Sequence, residues 1–146
     1  MKQRFPKRYR VEGLGEWGIS EGLIFSNWKE QNFNISEVLE QNKDKRDKNG
    51  CYAFVSVHGM DFGYNDPTAF VGVYADTVEY KLYIFYEYYE VQMENRKIAT
   101  ALIDAGFSES SICADSEDPR TINELKNLGL KGIYGAKKGA GSVLGG

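Results

Sequence analysis

The strongest constraint on this chain is the run His58-Gly59-Met60-Asp61-Phe62-Gly63-Tyr64-Asn65-Asp66-Pro67-Thr68-Ala69, in which an acid closes an apolar strand and turn chemistry follows at once. Residues 51–57 read as a buried strand. An unpaired carboxylate at the end of such a strand is costly unless a cation or hydrogen-bond donors meet it. Asp115 ends a second short apolar run, Ser111-Ile112-Cys113-Ala114. Two acids so placed point to a shared metal site.

The periodicity around these acids defines an order of elements. Residues 68–75 form a second apolar strand, and residues 80–89 a third, in which the two-residue period puts Leu82, Ile84, Tyr86 and Tyr88 on one face. Short links between the three predict an antiparallel meander. Residues 94–106 then carry Ile98, Ala101, Leu102 and Ala105 at helical spacing, with Gly106 as the stop. After the Asp115 strand, Asp118 and Pro119 are an N-cap and first helical residue, Ile122, Leu125 and Leu128 are the apolar stripe, and Gly129 ends the helix. Residues 130–136 form a last strand. Residues 1–50 differ in texture and read as an attached segment, and residues 42–50 read as a solvated charged linker because their charges alternate in sign.

A chain of 146 residues fits one domain, and a formal net charge of −3 excludes a protein that grips nucleic acid through overall charge while leaving room for a local basic groove. Cys51 and Cys113 make neither a metal-binding pattern nor a disulfide framework; they read as buried small hydrophobes in a reducing cytoplasm. No apolar run is long enough to span a bilayer, so no membrane is expected. His58, the single histidine, lacks a partner at ligand spacing and reads as a packed or half-exposed strand residue.

The element order also says how the acids can meet. A helical crossover usually returns the next strand parallel to one already in the sheet, and the Asp61 strand is an available neighbour. Their ends then coincide, with strands about 5 Å apart. Oxygen ligands suit magnesium or manganese, and two such ions about 4 Å apart support phosphodiester cleavage. The simpler alternative is two strand-end acids that cap turns or meet solvent.

Taken together, Leu14-Gly15-Glu16-Trp17-Gly18, Glu21-Gly22-Leu23-Ile24-Phe25-Ser26-Asn27-Trp28, Gly59-Met60-Asp61-Phe62-Gly63-Tyr64 with Asp66-Pro67-Thr68-Ala69, Ala114-Asp115-Ser116 and Lys137-Lys138-Gly139 resemble the large terminase subunit of tailed bacteriophages. The matching part joins the ATPase to the nuclease domain and continues through the first two thirds of that nuclease. The resemblance implies an α/β ribonuclease H-like mixed sheet, with residues 1–50 as the linking segment and 51–146 as the N-terminal part of the nuclease domain. It further implies a metal-dependent endonuclease that cuts concatemeric double-stranded DNA during packaging in the cytoplasm of a bacterial host. Asp61 and Asp115 would be catalytic metal ligands for Mg2+ or Mn2+, in a two-metal site. Asp66 would support them, with a turn-capping role as the equal alternative.

Ser116 and Glu117 are candidates for orienting metal-bound water, although solvated helix-entry residues are the simpler reading. Lys137 and Lys138 are candidate phosphate contacts, with a solvated loop as the alternative. Implied partners are the small subunit, the portal protein and the ATPase domain of the same motor. The family completes its cluster with a third acid or a histidine in a region that lies past Gly146, so the fold is expected to stop before its last helices. The phosphate loop of an ATPase is absent. Two other readings stand beside this one: a non-catalytic remnant or docking module, and a resolvase- or transposase-type ribonuclease H-like enzyme.

Overall fold

The computed structural model describes residues 27–115 and 118–137. By internal contact the chain divides into two units, Met1–Phe33 and Asn34–Gly146. The second unit carries all the elements that follow. Residues 14–18 and 21–26 of the resemblance lie outside the described residues, as do Ser116, Glu117, Lys138 and Gly139.

Runs rich in β-branched and aromatic residues build the expected meander. β1 (Phe54–Asp61) pairs antiparallel with β2 (Thr68–Asp76), and β2 pairs antiparallel with β3 (Lys81–Glu90). β4 (Ile112–Ala114) then adds to the free edge of β1 in parallel, and β5 (Ile133–Gly135) adds to β4 in parallel. The sheet order is β3-β2-β1-β4-β5. Helix α1 (Ile35–Asn42) precedes the sheet, capped by the Asn34 side chain accepting from the Ser36 N–H at 3.0 Å.

Two helices lie in the connections on either side of β4: α2 (Asn95–Asp104) and α3 (Pro119–Asn127). Asp118 caps α3 by accepting from the Arg120 and Thr121 amides, and Pro119 occupies its first turn. The stop at Gly129 is set by its φ of +116°, which L side chains rarely adopt; a Cβ there would also meet the end of the Ile103 side chain on α2 at 2.9 Å. Ile98, Ala99 and Leu102 of α2 and Ile122 and Leu125 of α3 form one core with Met60, Phe70, Ile112, Ala114 and Ile133 of the sheet. Truncating Leu102 or Leu125, both fully buried, to alanine is expected to cost about 2–5 kcal/mol.

Both helices share this core, so one face of the sheet is covered and the other is bare among the described residues. This corrects the reading of residues 51–57 as a buried strand. The strand begins at Phe54, and Val55 and Val57 point to the bare face, 44% and 51% exposed. Cys51 is exposed rather than buried. It sits in a small loop closed by the Arg46–Tyr52 bridge, where the Arg46 guanidinium lies 3.5 Å above the Tyr52 ring. Cys113 is half-buried.

The shared face expected for β3 is corrected as well. Gly72 pairs with Tyr86 but Val73 pairs with Ile84, so Phe85 is an extra residue, a β-bulge. Before the bulge Leu82 and Ile84 lie on the bare face, 67% and 52% exposed; beyond it Tyr86 and Tyr88 pack on the core side. Gly72 makes room for this, because a Cβ there would come within 3.0 Å of the Phe85 ring. The gain is an aromatic cluster in which Phe107 meets Phe70 and Tyr86 at 4.9 Å each and His58 at 5.3 Å.

At the sheet end away from Asp61, one ion cluster ties residues 45–53 to the β2–β3 turn. Lys45 Nζ donates to Asp76 Oδ2 at 2.7 Å and to Glu79 Oε1 at 2.8 Å. Asp76, only 3% exposed, also accepts from the Val78 and Glu79 amides at 3.0 Å each. The stretch read as solvated linker therefore holds one lysine with a buried partner, which alternating charge conceals. Burial pushes the Asp76 carboxyl up, but donation from Lys45 and the Glu79 and Val78 amides outweighs it and leaves the group below the ordinary carboxylate range.

Asp76 is thus a weaker base folded than unfolded. Its stabilisation is complete above the unfolded value and fades as pH falls through the lower folded one. Asp76→Asn is expected to lose about 1–3 kcal/mol near neutral pH. Urea denaturation against pH checks this: the gap to wild type should close on the acid side, and a gap of constant size would refute the ionic cause.

Candidate metal centre

The parallel pairing of β1 with β4 sets His58 beside Ile112, Gly59 beside Cys113 and Met60 beside Ala114. Continuing that register brings Asp61 alongside Asp115, and the Asp115 N–H donates to the Met60 carbonyl at 3.1 Å. Both acids line one open, apolar depression, with Gly59, Val71, Cys113 and Ala136. Asp61 is exposed and Asp115 half-buried, so the carboxylate expected in a buried setting instead stands at the rim of the sheet. Side-chain alternation explains this: Met60 faces the core, and Asp61, opposite Ala69 on β2, faces the bare side.

The sharp exit after Asp61 is held by a local device. Thr68 Oγ1 donates to the Gly63 carbonyl at 2.8 Å and accepts from the Gly63 N–H at 3.2 Å. Gly63 has to be glycine because a Cβ there would lie 2.3 Å from the Asp66 carbonyl oxygen. The Tyr64 carbonyl is held in turn by the Gln92 N–H at 3.0 Å.

Asp66 lies exposed in this turn and lines neither the depression nor the cleft described next. Lys137 is exposed just past Ala136, whose N–H donates to the Ala114 carbonyl at 2.8 Å, which puts it at the same sheet edge as Asp115. His58 is buried: its ring stacks on Phe70 at 6.1 Å and its Nδ1 lies 3.1 Å from the Ser111 carbonyl.

Asp115 also borders a second space, an open cleft of about 380 Å³ between the β1–β2 turn and the starts of α2 and α3. Tyr64, Met93, Asn95, Ile98 and Thr121 contribute to its walls. Asn95 Nδ2 donates to Glu124 Oε2 at 2.8 Å, joining the two helices at this edge. No sequence signal links Asn95 or Thr121 to Asp115, because only the packing of α2 on α3 brings them there.

Two carboxylates at one strand-end edge, with oxygen donors alone, fit a hard divalent cation. Among the described residues no group of three or more His, Cys, Asp or Glu side chains stands close enough to hold one. The fold and this edge define a ribonuclease H-like α/β domain. The Terminase RNAseH like domain family matches residues 61–146, and the chain belongs to that family.

The chain is 29% identical over 149 residues to the PBSX phage terminase large subunit of Bacillus subtilis (strain 168), covering 99% of this chain and 31% of that protein. It is 31% identical over 146 residues to the terminase large subunit of Bacillus phage SPP1, covering 98% and 32%. It thus spans about a third of the length of these relatives. Among solved structures, the manganese-bound nuclease domain of the SPP1 large terminase matches with a TM-score of 0.56 and 36% identity, over 60% of this chain and 51% of that one. The P22 large terminase nuclease domain matches in fold, with a TM-score of 0.50 and 12% identity over 56% and 45%.

Gly63→Ala is expected to force the β1–β2 turn open and cost about 1–3 kcal/mol. Chemical denaturation measures this, with Thr68→Ser, which keeps the hydroxyl and loses one buried methyl, expected to cost only about 0.5–1.5 kcal/mol.

Proposed function

We propose that this chain supplies two metal ligands of a DNA endonuclease site in a phage or prophage packaging terminase. The observation that carries the reading is the placement of Asp61 and Asp115 side by side on adjacent parallel strands. Asp61 and Asp115 would hold Mg2+ or Mn2+, which when bound supplies activation of water and stabilisation of the leaving oxygen. The manganese in the SPP1 nuclease domain, 36% identical to this chain, supports that choice of ion.

The chain's own contribution is orientation. Backbone pairing fixes where Asp115 leaves β4, and the Thr68–Gly63 bonds fix where the chain turns after Asp61. Asp66 is assigned a supporting charge near the site, and Ser116 and Glu117, between Asp115 and the α3 cap, are assigned to ordering water. Lys137 and Lys138 are assigned to phosphate, each adding a salt-sensitive increment to affinity. Two carboxylates bind a divalent ion weakly, so strong cleavage requires a third ligand from outside the described residues. In this reading residues 1–50 link the nuclease to an ATPase domain. Double-stranded viral DNA is the substrate, the small subunit and portal protein are the partners, and the host cytoplasm is the setting.

Manganese titration by calorimetry, paired with plasmid nicking in manganese with and without chelator, tests the assignment. Asp61→Asn and Asp115→Asn are each expected to weaken manganese binding at least about tenfold, since even ligand-supporting residues are worth that much. Unchanged manganese affinity in Asp61→Asn, or chelator-sensitive nicking by wild type that Asp61→Asn retains in full, sinks it.

A further inference from the structure

The cleft beside Asp115 has one wall that metal binding does not use. Tyr64 stands on that wall and is 68% exposed. Its backbone is nevertheless pinned on both sides: the Tyr64 carbonyl accepts from the Gln92 N–H at 3.0 Å, and Gly63 before it is bonded twice to Thr68. Phe62, two residues back, is packed against the core. The backbone that carries this solvent-facing ring is fixed by these bonds, so less loop ordering is left to the binding of a flat ligand.

The rest of the cleft suits a nucleotide. Met93 and Ile98 are apolar, Thr68, Asn95 and Thr121 are polar, Asp118 is a second acid beside Asp115 whose carboxylate accepts from the Thr121 hydroxyl at 2.6 Å, and the space of about 380 Å³ falls within the range of small-ligand sites. The residues next to these in the helices, Arg96 and Lys97 after Asn95 and Arg120 before Thr121, are exposed cations on a chain whose formal net charge is −3. Every base offers a π-face to an aromatic ring, but a base inside a duplex has both faces covered. The ring can serve only a base that has left its stack.

We propose that Tyr64 is a specificity-determining stacking residue: it receives an unpaired base next to the phosphate engaged at Asp61 and Asp115, so that the site favours DNA locally unpaired at the cut. This rests on the endonuclease reading above. The test uses the full chain, with calcium replacing manganese so that strands stay intact. Fluorescence anisotropy compares a labelled duplex carrying one unpaired base with the same duplex carrying an abasic site at that position.

Tyr64→Ala is expected to weaken binding to the unpaired-base duplex roughly five- to a hundredfold, the range of a single base–aromatic stack. Tyr64→Phe should stay within about twofold of wild type, because the ring carries the contact. On the abasic duplex wild type and Tyr64→Ala should bind alike. The proposal is overturned if Tyr64→Ala binds as wild type does, if its loss is the same on the abasic duplex, or if Tyr64→Phe loses as much as Tyr64→Ala. Wild-type binding with an unaffected Tyr64→Ala variant removes the stacking role and leaves the endonuclease reading standing. No binding by wild type removes both.

Discussion

The parallel pairing of β4 against β1 is the contact on which the rest of the domain depends. It is short, Ile112–Ala114 against His58–Met60, yet it joins the local meander to the helical half of the chain. Three ladder residues would be weak alone. What secures them is burial: Ile112 and Ala114 are at most 1% exposed, and Met60 beside them is 5% exposed, beneath α2 and α3. The same alternation that turns Met60 and Ala114 inward turns Asp61 outward. Core packing and acid placement are therefore one fact, and a one-residue slip would bury the acids and expose the core.

The two ends of the sheet are held by different chemistry. At the Asp61 end the chain is held by neutral hydrogen bonds, Thr68 to Gly63 and Gln92 to Tyr64. At the far end Lys45, Asp76 and Glu79 form a charged cluster, with Lys81 adding a further contact to Glu79. A buried carboxylate that must be satisfied structurally is given a cation; the acids assigned to metal are set at an open edge.

The bare sheet face gives this arrangement a second consequence. Val55, Val57, Leu82 and Ile84 are exposed on it, and the depression shared by Asp61 and Asp115 opens to the same side. About half of the matched SPP1 nuclease domain chain has no counterpart in this alignment. Val55 and Leu82, both opposite Ala75, lie toward the Asp76 end of this face, and Asp61, opposite Ala69, lies at its other end.

The sequence by itself determined the order of elements from β1 onward, the meander, the start and stop of α2 and α3 and the presence of acids at two strand ends; helix α1 at Ile35–Asn42 was not expected in the segment before them. Those features are local: Asp118-Pro119 and Gly129 act within a turn of where they stand, and a strand's period is written in adjacent residues. It also carried enough family pattern, from Gly59 to Ala69 and at Asp115, for the ribonuclease H-like fold to be recognised. Tertiary structure alone decided which strand faces are covered, where the Phe85 bulge reverses the period of β3, that Lys45 meets a buried Asp76 across the fold, and that Tyr64, Asn95 and Thr121 share a cleft with Asp115. Each of these depends on contacts between segments distant in sequence, where burial and register are set by what packs opposite rather than by the residues themselves.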